Sequence, residues 1–261
     1  MEVQHRAGKA QGWMGLWAGV LDLLFPPRCQ VCGTLKEPPL CEDCRARIVW
    51  FSLPRCLRCG RPFDPLAHGG SFCAECRRHR RLGFTAARAL GPFEGCLREA
   101  IHRLKYGGRR ALAQPLGELL IEFLQTDPEA RLGLRLGEVS FLVPVPLHPS
   151  RQRERGFNQA ALLARVVGEW LNRPVLEGVL ERIRDTRPQV ELSGRERRQN
   201  VRGAFQAREH PYLPGATALL VDDVYTTGAT VRESAFALKR QGVKRVMVLT
   251  LARVVDEYRR L

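Results

Sequence analysis

Four C-x-x-C pairs fall between residues 29 and 76: Cys29/Cys32, Cys41/Cys44, Cys56/Cys59 and Cys73/Cys76. A C-x-x-C on a tight turn points two thiolates at one ion, and two such turns complete a tetrahedral all-sulfur site. Zn²⁺ is the expected ion, with an iron–sulfur cluster or redox pairs as the lesser reading. The pairs combine sequentially, as 29/32/41/44 and 56/59/73/76, or interleave as a cross-brace; spacing alone leaves both open. Closed four-sulfur sites are structural, stabilising a module too small to build its own core. Gly33 and Gly60 each follow the second cysteine of a pair, where a knuckle turn often needs a positive φ. His68 and His79 lie nearby but are not required as ligands. The ninth cysteine, Cys96, sits in a helical pattern and reads as a small buried hydrophobe. Cysteines arranged this way indicate metal chemistry in a reducing compartment, hence a cytoplasmic chain.

This pattern divides the 261 residues into three parts. Residues 1–25 are expected to form an amphipathic helix, with apolar residues at 13, 16, 17, 20, 21 and 24. The apolar stretch from Trp13 to Phe25 is too short for a transmembrane segment and carries Asp22. It reads as a helix docking on the rest of the protein, or as a membrane-surface anchor that would make the protein membrane-associated. Residues 26–82, rich in Cys, Pro, Gly and Arg, are the expected double zinc ribbon. Residues 83–261 alternate strand-like and helix-like segments. The strands are Arg88–Leu90, Phe141–Pro146, Thr217–Val221 and Val246–Ala252; the helices are Leu97–Leu104, Ala113–Gln125, Phe157–Leu171 and Thr230–Gln241. The alternation predicts an α/β fold, a mostly parallel sheet flanked by helices, with ligands at the carboxyl ends of its strands.

The strand TALLV runs directly into Asp222-Asp223, then Val224-Tyr225-Thr226-Thr227-Gly228-Ala229-Thr230, then a helix. Adjacent acids at a strand end accept hydrogen bonds from vicinal sugar hydroxyls or help position a hydrated Mg²⁺. The following residues offer backbone amides and three threonine hydroxyls. Gly228 lets the chain close around a phosphate at a helix N-terminus, where the dipole favours an anion. Ordinary capping needs one such residue, not two acids, three threonines and a glycine together.

The run VDDVYTTGAT resembles the signature of type I phosphoribosyltransferases, which bind 5-phosphoribosyl 1-diphosphate (PRPP). The resemblance implies that Asp222 and Asp223 hold the ribose hydroxyls. It also implies that Thr226, Thr227, Gly228, Ala229 and Thr230 wrap the 5′-phosphate, with Tyr225 also in the PRPP-binding segment and Mg²⁺ accompanying PRPP. Two further stretches, VPVPLHPSRQRERGFNQ from Val143 and TRPQVELSGRERRQNVRGAF from Thr186, narrow the match. With the cysteine module and Lys105-Tyr106, they resemble the ComF family of competence-associated, phosphoribosyltransferase-like proteins. The resemblance implies a role in DNA uptake during natural competence. It also implies competence proteins at the inner face of the membrane as partners, and a glycosyltransferase reaction with an unknown acceptor.

Other candidates follow from position. Arg151 and Arg155, in the loop expected over Leu147–Arg155 after the strand FLVPVP, are placed to meet the diphosphate by bidentate hydrogen bonds. His148 is a further donor or simply solvated. Asn158 and Gln159 open a helix and either contact the ligand or fix the loop. Lys105 either reaches the phosphates or satisfies the last carbonyls of its helix. Residues Arg182 to Arg208 are arginine-dense; the resemblance implies a loop here that closes over PRPP, with Arg187, Arg197 and Arg198 as candidates for that lid, against a solvated arm or a nucleic-acid patch.

A formal charge of +15 admits single-stranded DNA as a partner. Two zinc ions held by eight thiolates lower it to about +11. Only five of the 42 basic residues are lysine, so genomic coding bias is a second source of the excess. The alternative to an enzyme is a non-catalytic module that senses PRPP or binds single-stranded DNA. Trp50, Phe51, Phe63 and Phe72 are its few stacking candidates, and they equally suit the small core of the cysteine module.

Overall fold

The structure is a computed structural model that describes residues 26–52, 54–63, 70–79, 81–185 and 201–255. The helix expected over 1–25, His68, and the lid candidates Arg187, Arg197 and Arg198 lie outside these residues.

Two short helices, α1 (Glu42–Ala46) and α2 (Ala74–Arg78), belong to the cysteine-rich region. The α/β region follows as β1 (Ala86–Pro92), α3 (Gly95–Tyr106), α4 (Ala113–Thr126), α5 (Pro128–Gly133), β2 (Phe141–Pro144), α6 (Pro149–Arg155) and α7 (Gln159–Leu171). It continues with β3 (Leu180–Arg182), β4 (Phe205–Ala207), β5 (Thr217–Tyr225), α8 (Ala229–Arg240) and β6 (Arg245–Arg253). Strands β1, β6, β5 and β2, in that spatial order, form an all-parallel sheet. The predicted α/β class, a mostly parallel sheet flanked by helices, is thus the observed one.

Strand alternation assigns the two faces. Leu219, Val221, Met247 and Leu249 pack with Leu104 of α3, Leu120 of α4 and Val167 of α7. Ala218, Leu220, Val246 and Val248 point the other way, against Val231 and Leu238 of α8 and against Leu180 and Phe205 of the antiparallel β3–β4 pair. Both faces are therefore apolar, as a parallel sheet requires.

Both sheet edges are occupied as well. Along β1, the Phe51 amide donates to Leu90 O (2.9 Å) and the Ala87 amide to Arg58 O (2.7 Å), so the cysteine-rich region lies along that edge. Along β2, the Leu142 amide donates to Pro174 O (2.9 Å) and the Leu176 amide to Leu142 O (2.8 Å). Cys29, Cys41 and Cys44 join the apolar cluster of α3 and α4, whereas Cys56, Cys59, Cys73 and Cys76 pack with Phe63 and Leu82.

Three elements depart from the sequence reading. The strand expected over Thr217–Val221 continues through both acids to Tyr225, because its ladder with β6 extends to the pair Tyr225↔Arg253. The loop expected over Leu147–Arg155 is largely helix α6. Pro149 sits in its first turn, His148 Nδ1 accepts from the Ser150 amide, and Gly156 ends it at φ 77°. The arm expected from Arg182 to Arg208 begins and ends in paired strands, with Arg182 opposite Phe205.

Candidate functional site

The eight paired cysteines form two clusters, Cys29/Cys32/Cys41/Cys44 and Cys56/Cys59/Cys73/Cys76, in each of which the Sγ atoms lie within 4.8 Å of one another. This is the sequential arrangement; the cross-brace is not formed. Sγ–Sγ distances are 3.8 Å for Cys29–Cys44 and 3.7 Å for both Cys32–Cys41 and Cys59–Cys73. Zn–S bonds of about 2.3 Å in a tetrahedron put sulfurs about 3.8 Å apart, so both clusters fit zinc. Cys41 and Cys73 immediately precede α1 and α2, whose first turns bring Cys44 and Cys76 round to the same ion. Gly33 and Gly60 have φ +84° and +70°, the left-handed backbone that the knuckle turns predict.

Asp222 and Asp223 lie side by side on β5, 9% and 3% exposed. Asp223 is doubly engaged: Lys105 Nζ lies 2.8 Å from Oδ1, and Gln159 Nε2 donates to Oδ2 at 2.7 Å. Gln159 is the first residue of α7 and also accepts from Arg155, whose guanidinium stacks 5.1 Å from the Tyr106 ring centre. Asn158 holds this corner, donating to Val145 O (3.0 Å) while capping α7 through the Ala160 amide (3.0 Å). Asn158 and Gln159 therefore both fix the loop, and Gln159 also reaches the acid pair.

Asp222 accepts the Asp223 amide at 2.9 Å. Burial, reinforced by the neighbouring Asp223 charge, pushes its carboxyl up to about 7. Arg182, buried against the Phe205 ring at 5.6 Å, contributes an opposing positive charge. Burial and the nearby charge of Arg151 pull the Arg182 guanidinium down. Arg151 thus stands near Arg182, while Arg155 joins the Asp223 network. His148 Nδ1 lies 2.7 Å from Ser150 Oγ, which donates to Asp185 at 3.0 Å.

After β5 the chain turns through Thr226 and Thr227 into Gly228, which precedes α8 at φ 75°. Thr227 Oγ1 accepts the Ala229 amide at 3.4 Å. Tyr225 is buried beneath this turn, edge-on to Phe84 at 6.4 Å. An ideal Cβ on Gly228 would lie 2.1 Å from the Tyr225 hydroxyl, so only glycine fits here.

Sequence reasoning did not single out Arg182 within its arginine-dense stretch. Nor did it find the buried Arg253, whose side chain meets Tyr225 and the second cysteine cluster.

The double zinc ribbon domain model matches residues 20–78 and the phosphoribosyl transferase domain model residues 155–260. Competence protein F of Haemophilus influenzae is 34% identical, covering 88% of this chain and 98% of that protein. The DNA utilization protein YhgH of Salmonella typhimurium is 33% identical, covering 89% of this chain and all of its own. Competence protein ComFC of Bacillus subtilis is 26% identical, covering 79% and 80%.

Proposed function

Because the chain belongs to the ComF family of competence-associated, phosphoribosyltransferase-like proteins, we propose that it acts in the uptake or processing of transforming DNA. We further propose that its β5–α8 segment binds PRPP with Mg²⁺. The observation that carries the ligand is the continuity of Asp222 and Asp223 with the turn at Gly228 and the N-terminus of α8. Two buried acids suit vicinal ribose hydroxyls or a hydrated Mg²⁺. The turn supplies backbone amides and the Thr226, Thr227 and Thr230 hydroxyls to the 5′-phosphate, and the helix dipole favours its charge.

Lys105 has a double task in this reading. Its ammonium neutralises Asp223 in the free protein and supplies positive charge to the ligand's phosphates. Arg151 and Arg155, on α6, are the groups for the diphosphate. Phosphoribosyl transfer to an acceptor is the matching reaction class, with arginine and metal charge stabilising the departing diphosphate. The double zinc ribbon (26–82) is a structural module ahead of the phosphoribosyltransferase-like domain (83–261). Its cysteines, grouped as metal ligands rather than paired in disulfides, suit the cytoplasm. Among the described residues no helix is long and apolar enough to cross a membrane.

Calorimetric titration of the zinc-loaded protein with PRPP and Mg²⁺, against ribose 5-phosphate, tests the ligand. Saturable binding that weakens sharply without the diphosphate is expected. A folded, zinc-loaded protein that binds neither would sink the PRPP assignment.

A further inference from the structure

The second cysteine cluster and the turn at Gly228 are joined by one buried side chain. Arg253 ends β6 opposite Tyr225 in the parallel ladder and is 3% exposed. Its Nη1 donates to the carbonyl of Cys59 at 2.6 Å. The same guanidinium lies 4.1 Å from the Tyr225 ring centre. Tyr225 in turn fills the space directly beneath Gly228. A cavity of about 30 Å³ remains between Cys59, Cys76, Tyr225, Gly228 and Arg232, room for little more than one water. The elements therefore pack on one another rather than across solvent.

We propose that Arg253 is a positioning residue that couples the second four-cysteine cluster to the phosphate turn, so that the turn's shape depends on that cluster being intact. The inference rests on reading residues 226–230 as the phosphate turn. Its physical basis is a chain of close-packed contacts with few alternative arrangements. If the Cys56–Gly60 knuckle loosens, the Cys59 carbonyl leaves Arg253 and a buried guanidinium loses its acceptor. Tyr225 then loses the cation that holds its ring face, and the left-handed turn above it loses its floor. In the first cluster, Cys29, Cys41 and Cys44 pack with α3 and α4 on the other face of the sheet.

The test uses the full chain with Arg253→Met and Arg253→Lys. Both are expected to keep two zinc ions per chain, as read by metal analysis. Arg253→Met is expected to speed amide hydrogen exchange across residues 225–230 and to weaken PRPP roughly tenfold. Arg253→Lys, which retains a cation and a donor, is expected to recover most of both. Cys59→Ser, if it folds with one zinc, should reproduce the exchange signature of Arg253→Met. An Arg253→Met protein with two zinc ions, wild-type exchange at 225–230 and wild-type affinity overturns the coupling. A wild-type protein that binds no PRPP, while Arg253→Met still accelerates exchange at 225–230, keeps the coupling and overturns only the ligand.

Discussion

Lys105 Nζ lies 2.8 Å from Asp223 Oδ1, an ion pair whose side chains are 19% and 4% exposed. A pair this buried has a small net effect while both partners are present, and a large one when a single partner is removed. Lys105→Met leaves Asp223 with Gln159 as its remaining named donor. The variant is expected to lose roughly 2–4 kcal/mol of stability at pH 8, measured by urea unfolding. Restoring neutrality with Lys105→Met plus Asp223→Asn should recover most of that loss; if the double variant is no more stable than the single one, the charge argument is wrong.

Asp222 makes stability depend on pH in the direction opposite to a salt-bridged carboxylate. Its folded value is raised from 3.8 to about 7, so between those limits the native state binds the proton that the unfolded chain has lost. Stability should therefore fall as pH rises from about 4 to about 7, and stay low above. Asp222→Asn mimics the protonated form. It is expected to gain on the order of 1–3 kcal/mol at pH 8, a gain that vanishes near pH 4. Thermal unfolding of both proteins across that range provides the check, and a gain independent of pH would refute it.

Gly228 carries two separate penalties against a side chain: φ 75° and the Tyr225 hydroxyl in the space a Cβ needs. Gly228→Ala is expected to cost about 1–3 kcal/mol and to weaken PRPP at least roughly tenfold, with zinc content unchanged. Calorimetry together with metal analysis would show it. Undiminished affinity would place the phosphate elsewhere.

Arg55 is 1% exposed at its side chain and forms an ion pair with Asp127, which also caps α5 by accepting the Ala130 amide at 2.8 Å. Asp127→Ala removes the cap and leaves the buried guanidinium with only the longer contacts to Glu129 (3.9 Å) and Phe51 O (3.4 Å), an expected loss of about 2–4 kcal/mol. Arg55→Met should cost clearly less, because the Asp127 it leaves behind keeps its capping role and some access to water. Equal losses in urea unfolding would contradict this ordering.

The sequence made the two metal clusters legible because ligand spacing is a local property. Which pairs share an ion was not legible, since that depends on how separate turns meet. The apolar runs at 141, 217 and 246 marked their strands well, but the end of β5 was hidden. Asp222 and Asp223 interrupt the apolar pattern, while the ladder to β6 carries the strand past them. Helix α6 was hidden for a related reason: none of its seven residues is buried, so it has no apolar periodicity to read. Arg88 and Arg253 were the least visible of all. Each is a charged residue inside a strand, stabilised by a carbonyl from far away in the chain, Leu57 O for Arg88 and Cys59 O for Arg253. A residue whose partner is 194 positions distant leaves no local trace.

The bonds from Phe51 and to Arg58 along β1 also bear on solubility. A parallel strand with bare amides and carbonyls is a template onto which another molecule can add a strand of its own. Here the cysteine-rich region occupies that position, so zinc held by its two clusters would also keep one molecule's sheet from growing into the next. Chelation would thus reveal itself first as concentration-dependent clumping, before the helices of the α/β region melt.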